Sequence, residues 1–240
     1  MPTITCESTS GVIQATGTSF LGVRRGFTVS LTVDLTDDLD LIGVYRFSTQ
    51  NRIYRTFYCF DVSGISSAPA SATLDLDLQS GAASGDFILV KGNQPNSSTS
   101  NLVTTDYLSG IAGVTKGNAA SDWNGVTTDY SSVFTATSSG ALQVTLNSTA
   151  LNDIASDNFL NVVILNSTYD HRNVDLPSGN QTNLFARVLG LADGTASNRP
   201  QLNYTVASSG YANNVNGVAS ANIGSVIGVA TANIDKISGV

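Results

Sequence analysis

The chain has 240 residues, 11 basic against 18 acidic side chains, a net charge of −7 and only 12% charged residues. Globular chains ordinarily carry about a quarter. The deficit, with Arg24-Arg25 as the sole adjacent basic pair, excludes nucleic-acid binding through a basic surface. Glu7 as the one glutamate, lysine only at Lys91, Lys116 and Lys236, and 22 glycines leave few helix formers and many turn formers, so the composition predicts an all-β protein. No apolar run reaches the roughly 18 residues that a membrane-spanning helix needs, so no membrane partner is expected.

In chain order, the first six residues offer neither a basic nor an apolar stretch, and no secretory signal is expected there. Cys6 and Cys59 permit one bridge, which the sequence leaves open; Cys59 lies in the apolar run Phe57-Tyr58-Cys59-Phe60 and reads as a buried thiol. Residues 27–35 alternate, with Phe27, Val29, Leu31, Val33 and Leu35 on one face, as in a strand covered on one side. Residues 53–62 are apolar on both faces, as in a central strand. Residues 72–78 set Leu74, Leu76 and Leu78 opposite Asp75 and Asp77. Further strands are expected over 86–90, 141–146, 158–165, 183–189 and 201–206. Residues 148–155 read as one short helix capped by Ser148 or Thr149, and 105–111 as a helical turn. Many strands with long polar connections predict an antiparallel jelly-roll β-sandwich over residues 1–210.

Residues 211–240 differ. Val215-Asn216-Gly217-Val218-Ala219-Ser220-Ala221-Asn222-Ile223-Gly224-Ser225 is followed in unbroken register by Val226-Ile227-Gly228-Val229-Ala230-Thr231-Ala232-Asn233-Ile234-Asp235-Lys236, and a third copy opens at Ile237 and stops at Val240, an 11-residue repeat. A helix would make this a right-handed seam, but the recurring glycines and the β-branched residues favour extended segments. So short an array cannot bury a core alone. Val215, Val218, Ile223, Val226, Val229, Ile234, Ile237 and Val240 are therefore the expected assembly interface.

Candidate chemistry is sparse. His171 is the sole histidine, which rules out a two-histidine metal site, and Tyr169-Asp170-His171-Arg172 reads as a hydrogen-bonding loop before it reads as a catalytic base. Asp34, Asp37, Asp38 and Asp40 form a weak calcium candidate; without the glycine and terminal glutamate of a calcium loop they read first as a solvated acidic turn. Trp123, Tyr130 and Tyr107, in polar surroundings, are candidates for stacking on a glycan, against the competing reading of structural anchors. No cofactor and no catalytic residue are expected.

Two resemblances enter here. Arg55-Thr56-Phe57-Tyr58-Cys59-Phe60-Asp61 followed by Ala72-Thr73-Leu74-Asp75-Leu76, and Pro200-Gln201-Leu202-Asn203-Tyr204 near the end of the sandwich, resemble the opening and closing segments of DNRLRE-type carbohydrate-binding modules, with Trp123 and Tyr130 where that family often carries a Trp and a Tyr. The family's acidic-Asn-Arg name motif is absent. The repeats of the tail resemble those that close structural proteins of marine bacteriophages and environmental viruses. Together the resemblances imply a non-enzymatic virion protein, a capsid decoration, fibre or tail component. Burial of the tail's Val and Ile side chains between copies, closed by cyclic symmetry, predicts a homo-oligomer, a trimer by preference; other virion proteins and surface glycans are the further partners expected. The alternative they imply is a glycan-binding adhesin or secreted carbohydrate-binding module, extracellular or at a cell surface.

Overall fold

A computed structural model describes residues 1–27, 29–36, 39–79, 85–137 and 139–207, together with 225–226 and 229–230. The chain divides into two units, Met1–Thr205 and Val206–Val240. The first unit carries β1 (Thr3–Thr5), β2 (Gly11–Gly17), α1 (Phe20–Arg24), β3 (Ser30–Asp34), β4 (Leu39–Phe47), β5 (Gln50–Asp61), β6 (Ser71–Leu78), β7 (Gly85–Lys91), α2 (Asp106–Ser109), β8 (Phe134–Ala136), β9 (Gly140–Thr145), α3 (Ser148–Ser156), β10 (Phe159–Asn166), β11 (Phe185–Leu189) and β12 (Gln201–Thr205). In the second unit β13 (Ser225–Val226) pairs antiparallel with β14 (Val229–Ala230).

The protein is all-β in architecture, and its strand pairings are antiparallel. A single sheet runs β1-β12-β6-β11-β4-β5-β10-β7-β8, with β9 beside β6 and the β2–β3 pair joined to β5 through β2. The sheet folds on itself. Leu74, Leu76 and Leu78 of β6, Ala186 and Val188 of β11 and Leu202 of β12 pack with Tyr58 and Phe60 of β5, Val162 and Ile164 of β10 and Phe87 and Leu89 of β7 in one apolar layer. A second layer lies on the opposite face of β5, β7 and β10, where Ile53, Phe57, Ile88, Val90, Val163 and Leu165 are covered by Phe20 and Val23 of α1 and by Leu102, Tyr107, Ile111, Trp123 and Leu176. β5 is thus buried on both faces, as its unbroken apolar run demands.

The folding point is β4. Over residues 43–47 it runs beside β5; at Gly43 it parts from β5, and from Thr56 onward β10 takes its place. Residues 39–43 continue beside β11, and the Thr56 hydroxyl reaches across the fork to the Leu41 carbonyl at 2.8 Å. Gly43 is required at this point: its φ is +116°, and a Cβ would stand 2.5 Å from the Leu184 carbonyl oxygen and 2.9 Å from the Phe185 Cα.

Local signals explain the short helices. α3 is capped one residue before the expected Ser148, because the Asn147 side chain accepts from the Ala150 amide at 3.1 Å. α1 has five residues, far below the length that holds a helix in isolation; Phe20 and Val23 in the second layer hold it. Both cysteines are buried free thiols, and burial pushes the Cys59 thiol up to about 12.

Replacing Gly43 by Ala should lower the unfolding free energy in urea by roughly 1–3 kcal/mol. Gly140→Ala should cost less, about 1 kcal/mol, because its φ of +101° is similar but no atom crowds the added methyl.

Candidate functional site

Asp170 organises the interior. It lies in a π-helical turn, Ser167–His171, that follows directly on β10. Arg55, from the centre of β5, grips its carboxylate in a bidentate pair, Nε to Oδ2 and Nη2 to Oδ1, each at 2.8 Å. The remaining Arg55 donors reach the Tyr107 carbonyl at 2.6 Å and the Arg24 carbonyl at 2.9 Å. Arg24, closing α1, donates to the backbone carbonyls of Asp170, Ala119 and Ser121 at 2.5, 2.5 and 2.7 Å. All three charged side chains are wholly buried. Burial brings the Arg24 guanidinium down to about 10, against the opposing pull of Asp170. Burial works on Arg55 in the same direction, but Asp170 outweighs it and the pKa is raised.

Two cations facing one anion leave a positive excess, and aromatic faces answer it. The Arg24 guanidinium lies 4.0 Å from the Trp123 ring centroid, and that of Arg55 lies 3.8 Å from Tyr107 and 4.9 Å from Trp123. Desolvated contacts of this kind are worth about 2 kcal/mol each.

This geometry decides the fate of the glycan-stacking candidates. Trp123 is wholly buried and Tyr107 and Tyr130 are 1% exposed, so none offers a ring face to a sugar. Trp123 instead donates from Nε1 to the Asn118 carbonyl at 3.1 Å. Tyr130 donates to Asp153 of α3 at 2.6 Å, and Asp153 also accepts from Lys91 of β7 at 3.0 Å, so the hydroxyl ties α3 to the sheet. All three act as structural anchors.

His171 is also buried. Its Nε2 lies 2.8 Å from the Thr127 hydroxyl and 3.5 Å from Asp129, and its Nδ1 has no hydrogen-bond partner. Burial, the largest influence, draws its pKa below the ordinary 6.5, while Asp129 and Asp170 draw it up.

The calcium candidates do not converge in their described members. Asp40 points into the first apolar layer and accepts from the Tyr58 hydroxyl at 2.9 Å, whereas Asp34, at the end of β3, accepts from the Thr36 amide at 3.0 Å. Asp37 and Asp38 lie outside the described residues, among which no three acidic, cysteine or histidine side chains gather as a metal site. Asp75 is a hub of the outer face, accepting from Thr73, Gln143 and Asn203. Of the tail candidates, Val226 and Val229 are register partners in the β13–β14 pair. Val215, Val218, Ile223, Ile234, Ile237 and Val240 lie outside the described residues.

One surface escaped the sequence reading. Where β4 parts from β5, the outward residues of β4, β5 and β11 form a re-entrant corner with β2 and β3. A cavity of about 150 Å³ sits in it, lined by Val12, Gln14, Thr32, Asp34, Leu41 and Tyr54 among others. Beyond it the half-buried rings of Tyr45 and Phe185 meet edge-on at 5.8 Å, and Tyr54 lies 6.5 Å from Phe185. Arg52 flanks Tyr45 at 5.8 Å and Arg187 flanks Phe185 at 5.7 Å. The alternation Leu39, Leu41, Tyr45, Phe47 is the signal that could have revealed this face.

No protein-family model matches the chain, and no curated protein matches it.

Asp170→Asn should cost roughly 3–5 kcal/mol of stability in chemical denaturation, because it strands a buried guanidinium. A buried imidazole that resists protonation makes a further prediction. The unfolded chain takes up the proton first, so stability is complete above pH 6.5 and declines as pH falls below it. The thermal midpoint should therefore drop between about pH 7 and about pH 5, and His171→Gln should flatten that drop.

Proposed function

We propose that the chain is a non-enzymatic virion structural protein, a capsid decoration, fibre or tail component, in which the sandwich is displayed and the repeat tail assembles. The observation that carries the reading is the division of labour along the chain. Residues 1–205 contain both apolar layers and the buried ion cluster. The tail is a separate, nearly uncharged Val/Ile repeat in which one stretch already pairs as antiparallel strands. Strand pairing between copies, with burial of the Val and Ile side chains, is the mechanism such a sequence favours. A closed cyclic assembly, with a trimer as the first expectation, gives every repeat a partner.

The finer description of the sandwich belongs to the same proposal. Jelly-roll topology is supported by long connections that bring sequence-distant strands together, such as β12 beside β6 and β10 between β5 and β7. The resemblance of the strand motifs to carbohydrate-binding modules supports a role in attachment to surface glycans. A secreted or cell-surface glycan-binding module is the second reading, favoured by the aromatic and arginine-lined corner.

Truncation after residue 207 tests assembly. Light scattering should give a multiple of the monomer mass for the full chain and a monomer for the truncated one, with an unchanged thermal midpoint for the sandwich. Equal masses for the two proteins would defeat the assembly role of the tail.

A further inference from the structure

We infer that the corner between β4, β11 and the β2–β3 pair is a binding site for a short acidic saccharide, one bearing carboxylate or sulfate groups. This rests on the attachment role proposed for the sandwich and names its site and ligand class.

The argument begins with charge. The protein carries a net charge of −7, yet this face presents Arg52 and Arg187, and neither forms a salt bridge among the described residues. Arg46, on the same hairpin, is consumed by Asn51 and by the carbonyls of Leu176 and Pro177. Arg52 and Arg187 have ring contacts near 5.8 Å, at the outer limit of a cation–π interaction. Those contacts orient the guanidinium groups without using their N–H donors. The Arg52 Nε is buried and has no hydrogen-bond partner. A buried donor of this kind is normally satisfied, and a planar anion satisfies a guanidinium best, through two parallel charge-assisted bonds.

Shape and the remaining chemistry narrow the anion. Tyr45, Tyr54 and Phe185 form a chain of rings along the corner, suited to the apolar face of a sugar. The Gln14 carbonyl and the Thr32 hydroxyl in the adjoining cavity provide hydrogen-bonding groups for sugar hydroxyls. The cavity of about 150 Å³ is smaller than a drug-sized pocket and takes one ring, not a folded chain. A long polyanion such as nucleic acid would meet the repulsion of the whole molecule; a short ligand held by two arginines at close range would not. The corner is also rigid. It is built on paired strands, and Gly43 and the Thr56–Leu41 bond fix the angle between its walls.

The full-length protein should be titrated calorimetrically with an oligogalacturonate, sialyllactose and a heparin tetrasaccharide. The neutral controls are methyl-esterified oligogalacturonate, lactose and a cello-oligosaccharide. At least one acidic saccharide should bind. Its affinity should fall roughly tenfold in Arg52→Gln and in Arg187→Gln, and again on raising salt from about 20 to about 300 mM. Tyr45→Ala should weaken it independently of salt. The comparison with neutral controls uses wild-type protein, so it stands even where a variant misfolds. The inference is overturned if no acidic saccharide binds, if the neutral counterpart binds equally well, or if folded arginine variants keep full affinity. Binding of neutral sugars alone would leave the attachment role intact while removing the acidic specificity. Assembly is read separately, from the mass of the truncated chain.

Discussion

The bidentate pair between Arg55 and Asp170 is the constraint on which the interior depends. Burying two guanidinium groups and a carboxylate is costly, and such a cluster is tolerable only when every hydrogen bond is made. Here the donors of Arg24 and Arg55 are spent on one carboxylate and on the backbone of segments far apart in sequence: Tyr107, Ala119, Ser121 and the turn that contains Asp170. The long polar stretch between β7 and β8 could not cover the second apolar layer by its own propensities. It is fastened there by cations projecting from α1 and β5. Trp123 and Tyr107 complete the arrangement by turning their faces to the excess positive charge, which is why the single tryptophan is spent inside the protein and not on its surface.

The surface chemistry follows from the sheet in the same way. Because β4 leaves β5 at Gly43, the strand's inward residues Asp40 and Ile42 enter the first layer while its outward residues line a re-entrant corner. One glycine therefore sets both the point where β4 changes partners within the sheet and the concavity beside it. The opposite stretch of outer face is unlike the corner. There Thr3, Asn203, Asp75 and Gln143 link four strands through side-chain hydrogen bonds, and their polar groups are used up on one another.

Much of the fold was legible in residue patterns. The two-sided apolar run of β5, the Leu/Asp alternation of β6 and the runs that became β7, β9, β10, β11 and β12 all lie where periodicity puts them, within a few residues at the ends. What was not legible has physical reasons. β4 carries Asp40 on its buried face and Gly43 at its middle, so its alternation is broken by the very residues that let it change partners. β2, Gly-Val-Ile-Gln-Ala-Thr-Gly, is short and bounded by glycines, and its burial comes from sheet neighbours contributed elsewhere in the chain. α1 is too brief to show a helical period. The site was less legible than the fold, because Trp123 and Tyr107 lie in polar stretches whose local sequence leaves glycan stacking and anchoring both open, whereas buried Arg24 and Arg55, distant in sequence, hold those rings inside the protein. The corner joins residues of five strands, and the alternation along β4 marks only one of its walls.

The pairing of β1 with β12 brings Thr3 beside Asn203, and the Tyr204 amide bonds to the Pro2 carbonyl at 3.2 Å. The beginning and the end of the first unit are thus strand neighbours, separated by about one inter-strand spacing. A domain with its ends so close can be circularly permuted: a short linker would join them, and new termini could be opened between β8 and β9. Such a rewired chain would keep every strand pairing while moving the point at which the repeat tail is attached, which makes the geometry of attachment a variable that can be engineered separately from the fold.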